Sequence, residues 1–302
     1  MPFPIVSRIR QRPWLGGINC RRHVILGGMR APFYALMAAL FAASCGRSDV
    51  TWAAPRDEPA PSQPTAVLVE LFTSEGCSSC PPADHVLSEL LRQQPIANIN
   101  VIGLGEHVDY WDRLGWRDPF SAAGFSARQS EYAARAFRTG SIYTPQVVVD
   151  GRFQAIGSER DEVQRAISQA ARLAKAAVDI GVLAQSTTEV RVQIRTAIPS
   201  NLPRREAADL IAALVEDGLT TNVQRGENRG RTLKHGAVAR SLTTLATLER
   251  SDTTVSKTAS LPLASTWKPS NLQVVAFLQE RSSRHVIAVA SVRIRPGGED
   301  SR

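Results

Sequence analysis

Two cysteines three residues apart, Cys77 and Cys80, are the side chains of this sequence best suited to chemistry. Placed where a strand turns into a helix, Cys77 would meet unpaired backbone N–H groups and the positive end of the helix dipole. Both stabilise a thiolate and lower the thiol pKa below its free value of about 8.5. Cys80, one turn further on, could then resolve a mixed disulfide. Cys77 is thus the expected nucleophile and Cys80 the expected resolver, provided that both sulfurs are reachable. Pro81 and Pro82 follow, and a helix tolerates them in its first turn because those N–H groups have no partner there. A zinc site would need two more ligands, and no second CxxC or closely spaced His pair follows. A purely structural short-loop disulfide stays open.

A second constellation is Glu106-His107-Val108-Asp109-Tyr110-Trp111-Asp112-Arg113-Leu114-Gly115-Trp116. His107 could move a proton to or from a thiolate, or complete a soft metal site with Cys77 and Cys80. Asp109 and Asp112 could orient it or work as an acid and base pair. The plain alternative is a capping turn with Trp111 and Trp116 packed over the surface.

The elements that must position these groups can be read from periodicity. Ala66 to Phe72 is a short apolar run of the kind buried on both sheet faces, and Val86, Leu87, Leu90 and Leu91 recur at helical spacing after the cysteines. Asn98 to Leu104 reads as a second strand, Ser126 to Phe137 as a helix, Gln146 to Asp150 as a strand ended by the turn signal Asp150-Gly151, and Glu159 to Lys175 as a closing helix. The order β, α, β, α, β, β, α is the thioredoxin arrangement. It puts His107 and Cys77 at the carboxyl ends of neighbouring strands, where ligands gather in open α/β sheets. It also puts Thr144-Pro145 in the loop before the third central strand. There a cis-proline would face the cysteines and Thr144 would offer backbone hydrogen bonds to a substrate; a trans proline opening an edge strand is the rival reading.

From Ala176 the texture changes to seven short runs of alternating or β-branched residues: Val178 to Leu183, Glu189 to Ala197, Asp209 to Glu216, Ala237 to Leu248, Thr253 to Leu261, Leu272 to Gln279 and Val286 to Ile294. These predict an antiparallel sandwich. The fold class is therefore an α/β thioredoxin-like domain, residues 62–175, followed by an all-β antiparallel sandwich-like domain, residues 176–297. The polar stretch Gln224 to His235 carries Arg, Glu, Asn and His residues that could bind a ligand or meet the first domain. A solvated hairpin connection is the preferred reading.

The chain holds 36 basic and 28 acidic side chains, a formal net charge of +8. Seven arginines against the single acid Asp49 fall within residues 1–54, so the remainder is close to neutral and a nucleic-acid or membrane-surface partner is not expected. The arginines lead into the apolar run Ala31 to Ala43, which is short of the roughly 20 residues that span a bilayer but suits a secretory signal. Residues 1–54 are read as an export signal and Pro-rich spacer, giving a periplasmic or secreted protein. Ala42-Ala43-Ser44-Cys45 resembles a lipoprotein processing site, and a lipid anchor on Cys45 would be the one route to a membrane. Arg21-Arg22 faintly resembles a twin-arginine signal. Of the four cysteines, Cys20 and Cys45 belong to the leader, which leaves the body no disulfide framework beyond Cys77 and Cys80.

The strings Val69-Glu-Leu-Phe-Thr-Ser-Glu-Gly-Cys-Ser-Ser-Cys-Pro-Pro-Ala-Asp84, His107-Val-Asp-Tyr-Trp-Asp-Arg-Leu-Gly-Trp-Arg-Asp-Pro-Phe120, Tyr143-Thr-Pro-Gln146, Val149-Asp-Gly151 and Arg225-Gly-Glu-Asn-Arg-Gly230 with His235 resemble a family of bacterial exported thioredoxin-like proteins, domain of unknown function 1223. The resemblance implies a thioredoxin-like domain fused to a β-rich one and an export address. It implies no particular activity. No Trp precedes Cys77, and Ser78-Ser79 stands where thioredoxins have Gly-Pro. Three functions follow as expectations. The first is thiol-disulfide exchange with a protein or small-thiol partner, without a cofactor. The second is handling of copper or another soft metal by Cys77, Cys80 and His107. The third is a non-catalytic binding scaffold stapled by the disulfide.

Overall fold

The computed structural model describes residues 63–202 and 206–295. The expected leader, with Cys20 and Cys45, lies outside the described residues. The first part of the chain runs β1 (Thr65–Thr73), α1 (Pro81–Gln93), β2 (Ile99–His107), α2 (Ala123–Glu131), a π-helical continuation over Tyr132–Phe137, β3 (Gln146–Val149), β4 (Phe153–Ile156) and α3 (Arg160–Ala170). The second part is all strand apart from one short turn of helix: β5 (Ala177–Gln185), β6 (Glu189–Ala197), β7 (Ala208–Glu216), β8 (Leu219–Asn222), β9 (Thr232–His235), β10 (Val238–Leu248), β11 (Thr254–Pro262), β12 (Leu272–Glu280) and β13 (Val286–Arg293). Among the described residues no helix is long and apolar enough to cross a membrane.

The architecture is mostly sheet. One mixed sheet of eight strands has the order β13-β12-β7-β10-β2-β1-β3-β4, with four strands drawn from each side of residue 175. β1 runs parallel to β2 and antiparallel to β3. The two halves join where β10 meets β2 at the single pairing Val238 with Gly105. A three-stranded antiparallel sheet, β11-β6-β5, and the hairpin β8-β9 complete the fold.

β1 explains why both faces of the first half are dry. Its odd residues Val67, Val69 and Leu71 pack with Ala83, Val86, Leu87 and Leu90 of α1 and Val163, Ala166 and Ile167 of α3. An even residue, Leu68, packs instead with Ile211, Ala213 and Val215 of β7 and Phe277 of β12. The opposite face of β7, through Leu210, Ala212 and Leu214, packs on Val190, Val192 and Ile194 of the three-stranded sheet, so two sheets are layered here, but one of them is the mixed sheet shared with the first half and not an all-antiparallel sheet of the second part alone. Burying both faces selects the near-continuous apolar runs of β1, β7 and β12.

Two helices and the end of β2, which runs on to His107, differ in their bounds from expectation, and two strands are additional. The helix expected over Ser126 to Phe137 begins at Ala123 and changes to π geometry at Tyr132. The closing helix stops at Ala170, and Lys175 turns inward to the buried Asp150 at 2.5 Å. β8 and β9 have sequences LTTN and TLKH, four residues each, too short and polar to show a period.

Candidate functional site

β1 delivers the chain into a turn at Ser74-Glu75-Gly76. The Gly76 N–H donates to Ser74 Oγ at 3.1 Å, and the Cys77 N–H donates to the Ser74 carbonyl at 3.2 Å. Cys77 and Cys80 are joined in a disulfide. Cys80 caps α1, its carbonyl accepting from the N–H groups of Ala83 and Asp84 at 2.8 and 3.1 Å, with proline in the first helical positions. The helix terminus therefore abuts Cys80, and Cys77 sits one turn before it rather than at the cap. Both cysteines are 0% exposed, although Ser78 and Ser79 between them are exposed. The reachable sulfur that exchange chemistry calls for is thus covered in this conformation.

Ser79 Oγ lies 3.4 Å from Cys77 Sγ, and the far half of the chain binds the backbone of the turn. The loop between β8 and β9 is exposed at residues 224–227 and 229–231, but Asn228 is fully buried. Asn228 Nδ2 donates to the carbonyls of Glu75 and Cys77 at 2.8 and 2.9 Å. Glu227 Oε2 accepts from the Ser78 N–H at 3.0 Å, and the Ser78 side chain together with this N–H holds the Glu227 carboxyl below its ordinary pKa. Arg231 donates to Asn228 Oδ1 at 2.7 Å. Gln224 to His235 is the mostly exposed hairpin connection that was expected, running into β9, and through Glu227 and Asn228 it also meets the first half as a clasp on the cysteine turn.

Beneath the clasp lies a set of buried charges. Glu75, 0% exposed, accepts from Trp116 Nε1 at 2.8 Å through one oxygen and meets His235 Nε2 at 3.0 Å through the other. Its backbone N–H donates to Asp118 at 2.8 Å. Asp118 also holds His107 Nδ1 at 2.6 Å. The two imidazoles stand edge to face, 4.9 Å between ring centres, with Phe120 against both. Asp84, on the first turn of α1, lies 4.0 Å from His235 Nδ1 and accepts from Thr73 Oγ1 at 3.2 Å. Burial depresses the His235 pKa, but Asp84 and Glu75 on either side outweigh it and raise the value to about 9. For Asp118, burial favours the neutral acid, yet His107 and two backbone N–H groups prevail and hold its pKa below the ordinary value.

The peptide Thr144–Pro145, just before β3, is cis. Pro145 and Ala83 of α1 both approach Gly157, and Thr144 Oγ1 accepts from Trp111 Nε1 at 2.8 Å. Trp111 in turn lies against Gly76. Trp111 thus bridges the cysteine turn and the proline loop.

Residues 68–279 match the family described as "Protein of unknown function (DUF1223)". The chain belongs to this family. Among solved structures, protein AGR_C_4864 from Agrobacterium tumefaciens is 23% identical, with a TM-score of 0.60 over 80% of this chain and 100% of its own. HBP35 of Porphyromonas gingivalis is 13% identical, with a TM-score of 0.58 over 80% of this chain and 81% of its own. At these identities the likeness is one of fold. No curated protein matches the sequence.

Within this DUF1223 chain the sequence-predicted residues fall into two groups. Cys77 and Cys80 are buried in the turn, and Thr144 and Pro145 connect to that turn through Trp111. His107 turns to Asp118 and His235, and Asp109 and Asp112 do not orient it. Asp109 accepts from Ser126 Oγ at 2.5 Å, next to the start of α2, and Asp112 accepts from Ser121 Oγ and the Asp118 N–H at 2.8 and 3.2 Å. Sequence reasoning did not single out Glu75, Asp84 and Asp118. Their signal is an acid placed against a buried strand end or tryptophan loop, where a charge is retained only if paired.

Proposed function

We propose that this protein is an exported thioredoxin-like thiol-disulfide exchange protein whose Cys77–Cys80 pair works behind a clasp. The observation that carries the reading is a formed CxxC disulfide at a strand-to-helix turn whose backbone is held by a hydrogen-bonded loop, with a cis Thr144–Pro145 peptide joined to that turn through Trp111. The order β1, α1, β2, α2, β3, β4, α3 supports the thioredoxin-like part of it. In the oxidised state, a partner thiolate attacks the Cys77 sulfur once the clasp has lifted. The Cys77–Cys80 bond breaks, the Cys80 thiolate leaves, and a mixed disulfide to Cys77 forms. A second partner thiolate attacks the partner sulfur of that mixed disulfide, releasing Cys77 and carrying two electrons into the protein. The Thr144 backbone positions the partner chain beside the pair. The reverse sequence returns the electrons.

Full burial of both sulfurs favours a second reading, a structural staple. The reduction potential separates the two. Exchange predicts a potential above about −300 mV and trapping of a mixed disulfide on Cys77 in the Cys80→Ser variant. A potential below that value, with no trapping, leaves the staple and removes the exchange reading.

A further inference from the structure

We propose that Asp84, His107 and His235 form a binding site for one divalent first-row transition ion, separate from the cysteine sulfurs. Their ligand atoms all lie within 4.8 Å of one another, drawn from α1, the end of β2 and the end of β9. Ligands about 2.1 Å from a shared ion stand roughly 3 to 3.4 Å apart, so the three side chains close by about 1 Å around it.

Each donor is already oriented by a second group, as metal ligands usually are. Asp118 takes His107 Nδ1, which leaves Nε2 as the donor nitrogen. Glu75 takes His235 Nε2, which leaves Nδ1. Thr73 fixes the second oxygen of Asp84. His235 Nδ1 supplies the independent sign of a ligand: its side chain is 2% exposed, and this nitrogen makes no hydrogen bond but faces Asp84 Oδ1 across a gap of 4.0 Å, which an ion would fill. A buried, unsatisfied ring nitrogen costs about 1 to 3 kcal/mol, and coordination satisfies it.

The donor set also selects the ion. Two imidazoles and one carboxylate suit zinc, iron(II), manganese or cobalt with positions left for water, whereas Cu(I) would prefer sulfur. The ion has a route in. A surface cleft of about 550 Å³ between α1 and β9 is lined by Asp84, Ser88 and His235. Three carboxylates within two bonds' reach, Asp84, Glu75 and Asp118, compensate a divalent charge in that buried setting.

The proposal does not depend on thiol exchange, and its test is separate. The full chain is titrated with Co(II) and followed by visible absorption, with Zn(II) competition. One saturable Co(II) is expected per chain. Its affinity should fall at least ~100-fold in Asp84→Asn and His107→Ala, and ~10- to 100-fold in Asp118→Asn, where only the orienting carboxylate is lost. Asp84→Asn is isosteric and keeps its hydrogen bond with Thr73, so a folding failure does not blur the result. The exposed His85→Ala and the double Cys77→Ser/Cys80→Ser variants should bind as the wild type does. No saturable binding, equal binding in Asp84→Asn, or loss of binding in His85→Ala or the double cysteine variant would each overturn the site.

Discussion

Asn228→Ala tests whether the clasp is what keeps the sulfurs from solvent. Asn228 spends both amide hydrogens on the buried carbonyls of Glu75 and Cys77. Alanine removes both donors, at about 1 kcal/mol each if water replaces them and up to about 3 if a carbonyl stays buried and unpaired. The base of the loop keeps its own bonds, Val223 N–H to the Arg231 carbonyl at 3.0 Å and Gly230 N–H to the Val223 carbonyl at 2.8 Å. The loss therefore falls on closure, roughly 2 to 4 kcal/mol. At about 1.4 kcal/mol per tenfold, the open population should rise by roughly 30- to 1,000-fold. The assay is the rate of disulfide reduction by dithiothreitol under native conditions, read by alkylation and mass. Opening that is fast relative to attack makes this rate proportional to the open population. Ile194→Val, in the buried core of the three-stranded sheet, lowers global stability by about 0.5 to 1.5 kcal/mol and should leave the rate unchanged. An Asn228→Ala protein reduced at the wild-type rate would refute the clasp.

Three further outcomes follow from buried contacts elsewhere. Gly151 has φ +64°, and a Cβ there would lie 1.9 Å from the Arg284 carbonyl, so Gly151→Ala must displace the β12–β13 turn; a Tm lowered by at least about 4 °C in differential scanning calorimetry is expected. Burial, with Glu70 beside it, raises the Glu106 pKa well above the ordinary value, so the folded state takes up a proton. Stability should fall as pH rises from about 4.5 toward that raised pKa, and Glu106→Gln should flatten this limb in urea titrations across pH. Glu206 accepts from the N–H groups of Ser282 and Ser283, which outweigh partial burial and hold its pKa at about 2. Its contribution should be present above pH 4.5 and lost as pH falls toward 2, so Glu206→Gln should be less acid-sensitive than the wild type in the same titrations.

What could be read in advance was what repeats with a short period. β1, α1, β6, β7 and β12 each carry an apolar pattern set by one local geometry, and their ends fall within a residue or two of the patterned runs. The cysteine turn was legible because proline and small polar residues punctuate it. The clasp was not, since nothing local distinguishes the buried Asn228 from its exposed neighbours Glu227 and Arg229. Only the two carbonyls it meets, about 150 residues away in sequence, give it a role. The same holds for His107. Asp109 and Asp112 are near in sequence, but the carboxylate that holds the ring is Asp118, brought round by the tryptophan loop. Proximity in sequence fixed the wrong acid because side-chain pairing in a loop is decided by the turn, not by spacing.

The second half of the chain does more than extend the sheet. Its contacts with the first half include a run along the edge where the cysteines sit and the strand face behind it. Asn228 and His235 reach the cysteine turn, and Gln279 of β12 accepts from Arg128 Nη1 at 2.9 Å and donates to Tyr132 Oη at 2.8 Å. Arg128 in turn pairs with the buried Glu70 at 2.6 Å, and Tyr132 donates to the same carboxylate. A buried guanidinium and carboxylate in that position cost several kcal/mol unless every donor is used, and Gln279 supplies what the first half lacks. Leu68, Ile102 and Leu104 would likewise face water without Val215, Val275 and Phe277, at about 1.5 to 3 kcal/mol for each large side chain uncovered. The strands keep the cysteine turn dry, whereas the exposed loop around Asn228 is held to that turn by three hydrogen bonds, and the clasp reading places opening there. On the proposed exchange reading, such a site separates two tasks: the shared core fixes the geometry of the pair, and the loop sets how often a partner thiol can reach it.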